Sequence, residues 1–281
     1  MTKNITKKVI VGLIFSLAVL FGCSDESTTP TVTSNELGLG SGVSPDESYS
    51  SDQIFPLIDT TNFYGEINIG KGLVEQKTSD NQIYSKTSTG CRVKFWENAH
   101  KFANHIFDDS LCVPISGVSI NETQLNQNGK YYVYGDSGVP AYFGSQPNHI
   151  SILPNQYIPA FDTNITLLPE IKFTSLHAGD TIYSNRKTTL KWDGRSNGYA
   201  DLKIFYLEHG IAQNILIPIA NGFIQDDGQF IINSGDLSKY NEGEYMFQIT
   251  RYETIYPKLD SGREIAILGN STHIIFVHLK H

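Results

Sequence analysis

Leu237-Ser238-Lys239-Tyr240-Asn241-Glu242-Gly243-Glu244-Tyr245 is the stretch that decides how this chain folds. Its front end is turn chemistry, with Ser, Asn and Gly close together. Its back end runs into residues 244–251, where Tyr245, Phe247, Ile249 and Thr250 give a long strand. Working outward, six more short runs of the same character occupy residues 171–174, 188–192, 202–207, 215–217, 229–232 and 273–279, with turn residues between them. Seven short strands in about 110 residues predict a two-sheet sandwich. Composition agrees: 15 Tyr, 15 Phe and only two Met suit twisted sheets better than helical bundles.

Two local patterns sharpen this. Thr189-Leu190-Lys191-Trp192 sets a Trp on the second strand, and Tyr245 follows the 237–244 turn as the tyrosine of a tyrosine corner does. Together they resemble fibronectin type III and related immunoglobulin-like modules over residues 169–281. No cysteine lies in this stretch, which excludes the antibody type of disulfide core. Residues 252–272 read as a loop longer than such modules usually carry.

Upstream, strand-like runs occur at 63–69, 91–95, 117–120, 130–134 and 149–152, separated by Asn, Gly, Pro and Ser. Residues 95–107 read as one short helix. Thr163-Asn164 and Leu168-Pro169 interrupt the strand pattern. The expected fold class is therefore all-β, with an N-terminal all-β domain of undetermined topology (53–165) followed by an immunoglobulin-like β-sandwich (166–281).

The first 52 residues are of another kind. Lys3, Lys7 and Lys8 precede an apolar run from Val9 to Phe21, which is too short to span a bilayer comfortably. Leu20-Phe21-Gly22-Cys23 then resembles a bacterial lipobox. That resemblance implies a signal peptide over 1–22, a diacylglycerated Cys23, and a membrane held by acyl chains as a partner. Residues 23–52 form a tether, with six acids and no base over 24–52 and too few apolar residues to fold alone. Ser24-Asp25-Glu26 looks like the acidic tag that some outer-membrane lipoproteins carry to the cell exterior, so the expected location is the outer membrane, its face left open. Lys3, Lys7 and Lys8 leave with the signal peptide, so 18 basic residues stand against 29 acidic ones, a net charge of −11. That argues against nucleic acid as a partner and against a polybasic grip on lipid.

Cys91 and Cys112 are then the thiols left in an oxidising compartment, and a disulfide between them is expected, two buried thiols being the alternative. His100 and His105 are five apart, as are His273 and His278, a spacing that suits neither a helix face nor a strand face, so no metal is expected. Gly135-Asp136-Ser137-Gly138-Val139-Pro140 resembles the nucleophile loop of chymotrypsin-like proteases, with His100 and Asp108 or Asp109 upstream. About 84 residues between tether and Ser137 are too few for that family's two barrels, and Val139 replaces its usual glycine. A hairpin turn is the simpler reading. Asp226-Asp227-Gly228 likewise reads as a turn and not as a calcium loop. Tyr132, Tyr134, Tyr142, Tyr252 and Tyr256 are the candidate ligand-binding residues, since exposed aromatic rings on a sheet can stack on sugars or on a protein partner. The expected function is non-catalytic binding or adhesion, with no cofactor. A structural subunit of an envelope complex and an envelope hydrolase are the alternatives.

Overall fold

The computed structural model describes residues 63–98, 111–134, 140–194, 198–207, 223–257 and 262–281, and the fold of these residues is all-β. Chain order gives β1 (Phe63–Lys77), β2 (Ile83–Phe95), β3 (Val118–Ile120), β4 (Thr123–Gln124), β5 (Gln127–Asn128), β6 (Tyr131–Tyr134), β7 (Asn148–Ile152) and β8 (Phe161–Ile165). There follow β9 (Thr181–Tyr183), β10 (Thr188–Lys191), β11 (Tyr199–Leu207), β12 (Phe223–Gln225), β13 (Gln229–Ile232), β14 (Gly243–Ile255) and β15 (Glu264–Lys280). One nine-stranded sheet runs β12-β11-β14-β15-β1-β2-β6-β5, with β9 added beside β15. Two smaller sheets, β4-β3-β7-β8 and β10-β13, pack against it.

Successive side chains of a strand point to opposite faces, and β15 shows what this does over 17 residues. Its odd-numbered positions read Ile265, Ile267, Gly269, Ser271, His273, Ile275, Val277, Leu279. The first two lie in a core with Ile67 and Ile69 of β1, Val93 and Phe95 of β2, and Val118, Ile150 and Phe161 of the four-stranded sheet. The last three lie in a second core with Leu202 and Ile204 of β11, Tyr245, Phe247 and Ile249 of β14, and Leu190, Phe230 and Ile232 of the two-stranded sheet. Two sandwiches thus stand side by side on one face of one sheet. Each fully buried Ile or Phe stabilises by roughly 1.5–3 kcal/mol. Val74, Leu207, Met246, Ile274 and Phe276 form a third, smaller cluster on the opposite face.

The C-terminal half follows the strand reading closely at 188–191, 199–207, 229–232 and 243–251. Residues 171–174 form a single bridge, Phe173 to Trp192, in place of a strand. The run at 215–217 lies outside the described residues. Tyr245 Oη donates to the carbonyl of Asn241 at 2.8 Å, which closes the expected corner. Gly228, at φ 91°, makes the turn between β12 and β13, helped by the Gln229 amide donating to Asp227 Oδ1 at 3.1 Å.

Four expectations need correction. Residues 252–255 and 264–272 of the expected loop are strand, because β14 and β15 stay paired from Gly243↔Leu279 to Ile255↔Ile267 and β15 continues as a parallel neighbour of β1, while residues 258–261 lie outside the described residues. Thr163-Asn164 lies within β8, paired with Ile150 and His149. Phe95 and Trp96 are extended, Trp96 bridging Cys112, while residues 99–107 of the expected helix lie outside the described residues. Finally, Cys91 and Cys112 are both buried and are not joined in a disulfide. Cys112 sits opposite Trp96, five residues along the strand from Cys91, or about 16 Å at ~3.3 Å per residue, far beyond the ~7 Å that a disulfide tolerates. Burial pushes the Cys91 thiol well above the usual range and keeps it protonated.

Candidate functional site

The densest polar construction among the described residues lies where the chain passes from the first core to the second. Residues 167–173 cross the inner face of the large sheet, and the strands beneath change from apolar to polar for that interval. On β15, Gly269 leaves room for Leu167, whose Cδ2 would lie 2.7 Å from a Cβ placed there. Ser271 Oγ accepts the Ile171 amide at 3.0 Å, and His273 Nδ1 accepts the Phe173 amide at 3.0 Å. On β14, Glu253 Oε2 accepts the Leu168 amide at 2.7 Å and Arg251 Nη1 donates to the Pro169 carbonyl at 3.0 Å. On β1, Lys71 pairs with Glu170 and Glu75 with Lys172. The crossing cannot join the β14, β15 or β1 ladders, whose strands already pair with one another. Side chains therefore take the backbone groups that burial would otherwise orphan.

A second construction braces the first. Asp226, fully buried beside the Gly228 turn, receives Arg251 Nε at 2.5 Å and Nη2 at 3.1 Å, together with Trp192 Nε1 at 2.8 Å. The same guanidinium also bonds the Asp193 carbonyl. One carboxylate and one guanidinium, each 4% exposed or less, satisfy each other, and the charge is desolvated without being stranded. Nothing local marks Asp226 beyond an acid in a turn, because Arg251 lies 25 residues downstream.

Among the described residues, His273 is the one strongly perturbed imidazole. It is fully buried, with Nδ1 facing the Phe173 amide and Nε2 facing Glu75 Oε2 at 3.3 Å. Burial brings its pKa down to about 4, with Glu75 pulling the other way and Lys172 and His177 reinforcing the drop. An acceptor at Nδ1 requires the proton on Nε2, so the ring is held as a single neutral tautomer.

The tyrosines read as candidate ligand contacts do not form one platform. Tyr132 and Tyr134 hold register positions opposite Val93 and Cys91. Tyr252 is half-buried on β14 opposite Asn270, and Tyr256 follows the end of the same strand at 37% exposure. β14 and β6 are four strand spacings apart in the sheet order, about 19 Å at ~4.8 Å each. Tyr142 is 43% exposed in a segment pinned by Asn148, whose Oδ1 accepts its amide at 2.7 Å and whose Nδ2 donates to its carbonyl at 2.8 Å. Asn121, in the two-residue turn between β3 and β4, donates to Asn148 Oδ1 at 3.1 Å and extends that brace. Cys23, His100, His105, Asp108, Asp109 and Ser137 lie outside the described residues. Among the described residues, no three His, Cys, Asp or Glu side chains gather as metal ligands, and no helix is long and apolar enough to cross a membrane.

No family model matches the chain, and no curated protein matches it. Among solved structures, the chain is similar to fibronectin(III)-like modules of Clostridium thermocellum CbhA at 12% identity and a TM-score of 0.22, over 76% of this chain and 97% of that one. It is also similar to the Danio rerio Fcho1 mu homology domain with bound Eps15 peptide, at 6% identity and a TM-score of 0.21, over 80% and 100% of the two chains. Scores this low carry no weight, and the fold assignment rests on strand order and cores.

Proposed function

We propose that this chain is an exported lipoprotein, anchored through acyl chains on Cys23 and acting by binding or adhesion without catalysis. The observation that carries the reading is the order of the first 52 residues: basic end, apolar run, Leu20-Phe21-Gly22-Cys23, then an acidic, apolar-poor tether. Such a tether holds a β body clear of the outer membrane, where surface aromatic groups meet a glycan or an envelope protein. Tyr142 and Tyr256 are exposed members of the candidate set. A second reading, a structural subunit of an envelope complex, draws on Ile83 and Tyr84, which are 52% and 44% exposed side by side at the start of β2.

The anchor is tested by labelled palmitate, whose incorporation Cys23→Ala abolishes. Persistent labelling of that variant refutes it. Binding is tested by capture of partners from detergent-solubilised membranes. Tyr142→Ala or Tyr256→Ala weakens capture if the ligand reading holds, and Ile83→Lys weakens it if the subunit reading holds. A hydrolytic activity lost on Ser137→Ala with the fold intact overturns both.

A further inference from the structure

One of the hydrogen bonds that hold the crossing between the two cores needs an unprotonated imidazole nitrogen. Residues 171–174 lie between β10 and β15. Toward β10, Thr174 N–H donates to the Lys191 carbonyl at 2.7 Å, and Asp193 N–H donates to that of Lys172 at 3.2 Å. Toward β15, the alternate amides of Ile171 and Phe173 have Ser271 Oγ and His273 Nδ1. Ile171 and Phe173 are each 2% exposed in the second core, so these contacts fix the first segment of that sandwich on the sheet.

We propose that His273 is an acid-release latch: a proton arriving on Nδ1 makes it a donor facing the Phe173 N–H, and residues 171–173 part from β15. The groups around the ring set when this happens. Glu75 of β1 favours the imidazolium, while Lys172 on the crossing and His177 beyond it oppose it. From β14 the register neighbour is Ile249, which does not titrate, and the next inward side chain, Arg251, is held by Asp226. The tilted Phe173 ring, centroid 5.5 Å away, covers the imidazole and keeps water from solvating the cation. Because the folded-state value of about 4 lies below the ordinary 6.5, the latch is fully closed above about pH 6.5 and loses its hold as pH falls toward 4.

The test uses the full chain labelled with nitrogen-15. Imidazole spectra should show His273 neutral with its proton on Nε2 at pH 6, and protection of the Phe173 amide from exchange, corrected for intrinsic rate, should fall by up to about 80-fold between pH 6.5 and 4. In His273→Asn the side-chain oxygen can stand where Nδ1 stands without taking a proton, and protection should be flat over the same range. Constant protection in the wild type, or an equal fall in the Asn variant, overturns the proposal. If the Asn variant does not fold, the wild-type spectra decide. An imidazole that protonates while the Phe173 amide keeps its shift and protection refutes the latch, and loss of both together supports it.

Discussion

Replacing Asp226 by Asn should be the most informative single change to the stability of this protein. The substitution keeps volume and an acceptor for Trp192 Nε1, but removes the charge that faces Arg251 at 2.5 and 3.1 Å in a site where neither residue is more than 3% exposed. Breaking a buried pair from one side leaves an uncompensated charge and costs about 3–5 kcal/mol. For a folded body of this size that is a drop in Tm of roughly 6–20 °C, at about 2–4 °C per kcal/mol. Arg251→Met should cost at least as much, because it also strips the donors from the carbonyls of Pro169 and Asp193. The double variant decides the reasoning. If the loss comes from stranding a charge, Asp226→Asn with Arg251→Met should cost less than the sum of the singles by about 2 kcal/mol or more, since contacting residues couple strongly. Urea unfolding followed by tryptophan fluorescence measures all four proteins, and Trp192 reports from within the network. Single costs below about 1 kcal/mol, or a strictly additive double, would show that water or neighbouring groups already solvate the pair.

Tyr245→Phe removes the bond from Oη to the Asn241 carbonyl and should cost about 1 kcal/mol, read as a lower urea midpoint with unchanged slope. Ile267→Ala should cost about 2–5 kcal/mol, and because Ile267 sits on the strand that enters both cores, fluorescence and far-ultraviolet dichroism should fall in one coincident transition. A separate early transition would mean that the cores unfold independently. Cys91 and Cys112 should both alkylate as thiols once the isolated protein is unfolded without reductant, and a cross-linked peptide in the mass spectrum would contradict their separation.

The strands that announce themselves by β-branched and aromatic residues, such as 188–191 and 243–251, were readable because local pattern and final environment agree. The hairpin of β14 and β15 was not. Gly269-Asn270-Ser271-Thr272 carries the residues of a turn, yet these small polar side chains sit mid-strand, since Gly269 yields to Leu167, Ser271 receives the Ile171 amide and Asn270 bonds Asn68. Their reasons lie in segments 100 and 202 residues away, which no local window contains. Asn164 misled for a different reason, its pairing with His149 of β7 outweighing its weak β-propensity. Asp226 read correctly as part of a turn, and its second role as counter-ion depended on a partner that only the fold brings near.

The shared strand also sets a schedule for making the protein. Asn68 and Asn270 meet across 202 residues of chain, so β1 emerges from the ribosome long before β15 exists to pair with it. Neither core can close until the seventeen residues of β15 arrive, and until then Ile67, Ile69, Phe247 and Ile249 lack the strand that completes their layer. Such long-range closure is slow and leaves apolar edges exposed while it waits. A chain clipped within β15 ahead of Ile275 would therefore lose Ile275, Val277 and Leu279 from its second core directly.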